Sequence, residues 1–197
     1  MTPRWMLFVD GENLTLRAQA LVASMAKFSL PPGPLYREDV FVWLPRTACE
    51  HGAADLSIFH DVHLGGPPLR SIYYTSLVGD EETLQKVRTD LWTLEFQPEV
   101  FKKTARDQKA KGVDISLTKD MLSHAFLDNY DIAVLVAGDG DYVPLVQEIK
   151  RLGKRVHLCF FAGQGLNPNL KLAADHFADL TQDFMQHWIL DLQARKA

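Results

Sequence analysis

"DIAVLVAGDGDYVPL", residues 131–145, runs from an uninterrupted apolar stretch, Ile132 to Ala137, into Gly138, Asp139, Gly140 and Asp141. Consecutive apolar positions of strand length, without alternation, are what a strand buried on both faces of a parallel sheet requires. Gly and Asp are turn residues. Val143, Leu145, Val146 and Ile149 then resume at helical spacing. The stretch therefore predicts strand, tight turn and helix, the repeating unit of an α/β fold, with two like charges one residue apart in the turn. A turn alone accounts for "GDGD", but this turn stands at the carboxyl end of a strand, where open α/β sheets place their ligands.

The same unit recurs outward along the chain. Residues 4–10, 71–78 and 155–161 are further short apolar runs, and "FQPEVFKK" offers a fifth strand at an edge. Helical spacing is found over Asn13 to Lys27, over Glu81 to Phe96, and over Asp114 to Leu127 through Ile115, Leu117, Met121, Leu122 and Phe126. It is found again over Tyr142 to Leu152 and in a C-terminal helix at about 181–195. Alternating strands and helices predict a three-layer α/β domain, a mainly parallel sheet with helices on both faces. We expect one domain over residues 1–197, with an elaborated crossover at about 30–69 bracketed by "PPGP" and "GGPP". Trp43, Tyr73, Tyr74 and Trp188 read as core or interface residues.

The 197 residues are 47% apolar and 23% charged with a net charge of −4, ordinary globular usage that excludes disordered, collagenous and disulfide-framework classes and a wholly basic nucleic-acid coat. Two cysteines, one inside "RVHLCFF", suit a reducing compartment. No apolar run approaches the ~20 residues of a membrane span, and the first carboxylate follows the start too closely for a signal peptide, so a cytoplasmic location is expected.

Asp10 ends the first strand in "FVDGEN" and Asp139 ends a later one; if the two strands are neighbours, their carboxylates share a crevice. Asp114, in the first turn of its helix, is a third acid favoured by the helix dipole. Clustered carboxylates repel by about 1 kcal/mol in water and about 4 at an effective dielectric of 20, unless a cation neutralises them. An all-oxygen donor set suits Mg²⁺ or Mn²⁺, with Asn13 able to offer its amide oxygen to a ligand or water. The chemistry that fits is metal-assisted phosphodiester hydrolysis by water. The basic stretch Lys102, Lys103, Arg106, Lys109 and Lys111 is placed to hold a nucleic-acid backbone. Plainer readings remain at this point: Asp10 as a helix cap, Asp114 as a structural first-turn acid, Asn13 as part of the turn, the basic stretch as a solvated loop, and Asp120 as a solvated or supporting residue. His60 and His63 lack partners at zinc spacing.

"FVDGENL", "KGVDISLTKDML" and "LVAGDGDYVPLVQEIKRLGKRVHL", in this order, resemble the NYN domain of the PIN-like nucleases, and "LKLAADHFADL" resembles its C-terminal pattern. The resemblance runs from Met6 to about Leu180. It implies a parallel sheet in the order 3-2-1-4-5, a Mg²⁺- or Mn²⁺-dependent ribonuclease, RNA as partner, and Asp10, Asn13, Asp114, Asp139 and Asp141 at the acidic-site positions. Ala137 departs from it, standing where many relatives carry Ser or Thr. The alternative is a catalytically weak or inactive NYN module that binds RNA or a protein. Whether the chain forms a homo-oligomer is open at this stage. An aspartyl-nucleophile phosphatase is disfavoured because "FVDGEN" lacks a second Asp two residues on, and a dinucleotide-binding domain because no G-x-G-x-x-G follows the first strand.

Overall fold

All six residues of β1, Trp5–Asp10, are buried, and the two faces of the strand feed different cores. Trp5, Leu7 and Val9 join one apolar cluster and Met6 and Phe8 the other, which is why the sequence shows no polar alternation. The structure is a computed structural model describing residues 2–25, 28–45, 64, 66–105 and 111–194. After β1 come α1 (Gly11–Ala23), the short strands β2 (Tyr36–Arg37) and β3 (Phe41–Val42), β4 (Ser71–Leu77), α2 (Glu81–Thr93), β5 (Gln97–Lys102) and α3 (Lys111–Phe126). Then follow β6 (Ile132–Val136), a 3-10 turn at Gly140–Tyr142, α4 (Val143–Arg151), β7 (Arg155–Phe160), α5 (Pro168–Ala173), β8 (His176–Asp179) and α6 (Thr181–Ala194).

The main sheet has the order β5-β4-β1-β6-β7-β8, and every neighbouring pair is parallel. Among the five strands expected from the sequence the order is 3-2-1-4-5. The difference is β8, a sixth strand added beside β7, together with the antiparallel pair β2–β3 in the crossover. Residues 46–63 of that crossover, with His60 and His63, lie outside the described residues.

Side chains of α1, α2 and α6, among them Leu14, Leu84 and Trp188, pack on one face of the sheet. Those of α3, α4 and α5, among them Leu117, Val146 and Leu170, pack on the other. Trp43, Tyr73, Tyr74 and Trp188 are all buried; the Tyr73 hydroxyl donates to the Val42 carbonyl at 3.0 Å and so ties the β2–β3 pair to the sheet. Two helix expectations need correction. α3 buries Val113, Leu117, Met121 and Ala125, and leaves Ile115 66% and Phe126 77% exposed, because a stripe at strict i, i+4 spacing satisfies its contact with the sheet. α1 starts two residues earlier than the apolar spacing predicts, at Gly11, because Asp10 caps it.

The chain leaves β1 toward β4 and β5 and then crosses back to β6 on the other side of β1. That reversal lies between the carboxyl ends of β1 and β6, where Val9 pairs with Val136, and it opens the crevice that holds the site.

Candidate active site

Asp10 is 3% exposed and divides its two carboxylate oxygens between two tasks. Oδ1 accepts the Asn13 N–H at 3.0 Å as the cap of α1. Oδ2 accepts from the Tyr142 hydroxyl at 3.0 Å. The capping role and the site role thus belong to different atoms of one side chain.

The Tyr142 hydroxyl also lies 3.0 Å from Asp114 Oδ1. One phenolic proton cannot serve two carboxylates at once, so both contacts are satisfied only when a second proton is present. Burial, reinforced by the charges of Asp114 and Glu12, pushes the Asp10 pKa up to about 7, against the pull of the Asn13 N–H and the Tyr142 hydroxyl, so Asp10 takes up a proton far more readily than an ordinary carboxylate. Burial and the neighbouring Asp10 and Asp114 raise the pKa of Tyr142 well above the ordinary phenol range, so it stays a neutral donor.

Asp139 caps the 3-10 turn, its Oδ1 accepting the Asp141 N–H at 3.1 Å. "GDGD" is therefore a turn as well as a site. Close packing requires Gly138, where a Cβ would lie 2.3 Å from the Phe160 ring and 2.9 Å from the Gly165 carbonyl oxygen, while one on Gly140 would press on the Asn167 side chain at 2.3 Å from Nδ2. Asn13 Oδ1 accepts the Gly138 N–H at 2.9 Å, which bolts α1 to the end of β6. Its amide oxygen is thus committed to the backbone on one side.

Asp10, Glu12, Asn13, Asp114 and Asp139 line a crevice of about 70 Å³, with Leu16 and Val113 on its walls. The space is ample for an ion with bound waters. Asp141 is exposed on the outer side of the turn and is not part of this lining.

Two supports were not read from the sequence. Glu12 is held by Lys103 Nζ at 2.9 Å and by the Ser76 hydroxyl at 2.6 Å. Lys103 is only 7% exposed, which corrects the expectation of an exposed phosphate contact: its charge is spent beneath the crevice on Glu12. Lys102 is exposed, Arg106 and Lys109 lie outside the described residues, and Lys111 enters only as the first residue of α3. Asp120 sits behind the site, accepting from the Tyr74 hydroxyl at 3.1 Å and pairing with Lys119. Tyr142 follows "GDGD" directly and Glu12 lies inside "DGEN". Each had a plainer role in view, as a first core residue of α4 and a first-turn helix acid.

The donors facing the crevice are carboxylate and amide oxygens, which fit a hard divalent cation in type. Among the described residues no three acidic, histidine or cysteine groups stand close enough together to hold an ion as they are. Tyr142 instead bridges Asp10 and Asp114, and Lys103 pairs with Glu12.

The family model described as NYN domain matches residues 4–181. No curated protein matches significantly. Among solved structures, a crystal structure of a protein of unknown function from Vibrio parahaemolyticus matches with a TM-score of 0.60 at 21% identity, covering 93% of this chain and 96% of that one. That likeness supports the fold alone.

Proposed function

The chain belongs to the NYN domain family, a nuclease-type module whose members act on RNA and typically use divalent metals, and from that premise we propose that it is a Mg²⁺- or Mn²⁺-dependent ribonuclease. The observation that carries this reading is the meeting of Asp10, Asp114 and Asp139, from three separate segments, on one crevice at the point where strand order reverses. Asp10, Asp114 and Asp139 would hold the metal, with Asp141 beside them on the turn and Glu12 close by. The metal's contribution, when bound, is a lowered pKa for an attacking water and neutralisation of charge on the phosphate.

The chain's own residues supply the rest. Asn13 fixes the Gly138 backbone so that Asp139 is presented to the crevice. Tyr142 holds Asp10 and Asp114 in register and keeps a proton on hand for the metal-free state. Lys103 and Ser76 fix Glu12, whose negative charge is then local and directed. A second reading, an NYN module that binds RNA without cutting it, draws on the absence among the described residues of a ready-made three-group metal set.

Labelled single-stranded RNA, structured RNA and DNA, incubated with Mg²⁺, Mn²⁺ or EDTA, separates the two. The nuclease reading expects metal-dependent RNA cleavage, lost by a factor of at least about 10² in Asp10→Asn, Asp114→Asn and Asp139→Asn with unchanged circular dichroism. RNA binding without cleavage in either metal contradicts it.

A further inference from the structure

Asn13, Leu16 and Arg17 lie on one face of α1 by helical spacing, and Asn13 is bonded over the end of β6. Leu16 lines the crevice although it is 48% exposed. Arg17 is exposed, and among the described residues no ion pair or hydrogen bond holds its guanidinium. It is nevertheless positioned. Gly165 lies so close beneath it that a Cβ there would be 2.4 Å from Arg17 Nε and 2.6 Å from Cζ, and Gly165 adopts φ +76, a conformation a side chain disfavours. The β7–α5 loop thus provides a flat bed for the guanidinium.

The crevice thus combines acids, the exposed aliphatic side chain of Leu16 and, one turn along α1, a cation. It suits a chain that presents a phosphate and an unstacked base side by side. Resting on the nuclease reading of the crevice, we propose that Arg17 is a substrate-binding residue that holds an RNA phosphate beside the carboxylates while an unstacked base packs on Leu16. Arg17 stands one helical turn, about 5.4 Å, along α1 from Asn13, so it takes a phosphate neighbouring the one at the carboxylates. Its planar fork matches two phosphate oxygens. This places a cation at the rim opposite the exposed Lys102 side, where the buried Lys103 cannot serve.

Fluorescence anisotropy of a short labelled single-stranded RNA, measured across a salt series in EDTA, tests this without relying on cleavage. Arg17→Ala lowers the magnitude of the log–log salt slope by about 0.7, the value for one phosphate contact on a single strand, and Arg17→Lys restores it. Leu16→Ser weakens binding several-fold at every salt concentration with the slope unchanged. The same RNA annealed to its complement binds more weakly and is indifferent to Leu16→Ser. A wild-type slope in Arg17→Ala, or equal weakening of duplex and single strand by Leu16→Ser, overturns the inference. Those outcomes leave the nuclease reading intact, whereas wild-type protein that neither binds nor cuts RNA contradicts that reading itself.

Discussion

At the scale of single residues, the metal-free crevice turns on the Tyr142 hydroxyl, which stands 3.0 Å from both Asp10 Oδ2 and Asp114 Oδ1. Asp10 is pushed from 3.8 to about 7 chiefly by burial. A carboxyl raised in this way contributes stability that is complete below about pH 4 and lost as pH rises through 7. Metal-free protein should therefore melt at lower temperature at pH 8.5 than at pH 6.5. The window starts there because burial holds His157 down to about 4, which acts in the opposite direction between pH 4 and 6.5. Thermal melts of wild type and Asp10→Asn in EDTA check it, and the variant should show a flatter pH dependence. Tyr142→Phe removes the donor common to both acids and should cost about 1–3 kcal/mol in EDTA, measured by urea denaturation. Asp10, Asp114 and Asp139 were legible in the sequence because each sits at the end or start of a readable element. Tyr142 was not, because its hydroxyl acts across residues 10 and 114, and no local pattern records that meeting.

At the scale of elements, the strands of the sheet centre were readable because burial on both faces leaves an unbroken apolar run, as in β1 and β6. β8 escaped because its four residues, "HFAD", are only half-buried at the sheet edge and carry no such run. The exposed Ile115 and Phe126 misled for a related reason: apolar residues at helical spacing are indistinguishable in sequence from those that meet the sheet. The bond between the start of α1 and the end of β5 was equally invisible, since Glu12 and Lys103 are 91 residues apart. Removing one member of this nearly buried pair leaves a charge uncompensated, so Lys103→Met should destabilise by about 3–5 kcal/mol, while Glu12→Gln with Lys103→Met should recover much of that loss. Chemical denaturation of both single variants and the double variant measures it. A neutral Lys103→Met would return Lys103 to the role of a solvent-facing contact.

At the scale of the whole molecule, the order of the strands is what brings the acids together. β1 and β6 are adjacent, Val9 pairing with Val136 from far along the chain, and the segments that follow both strands line the same crevice. No described helix is long and apolar enough to cross a membrane. The fold was legible through its repeated strand–helix unit and the site through its position on that fold, while the partnerships that hold the acids without metal had to be seen. The central claim is that these acids form a divalent metal centre, and differential scanning fluorimetry in EDTA and in Mn²⁺ tests it without a substrate. At a hundredfold excess over Kd the native state gains about 2.7 kcal/mol, a rise of roughly 5–10 °C in melting temperature for a chain of this size. Asp139→Asn keeps an oxygen to cap its turn and should lose most of the rise while melting no lower in EDTA. An unmoved wild-type melting temperature at millimolar Mn²⁺ would contradict the account.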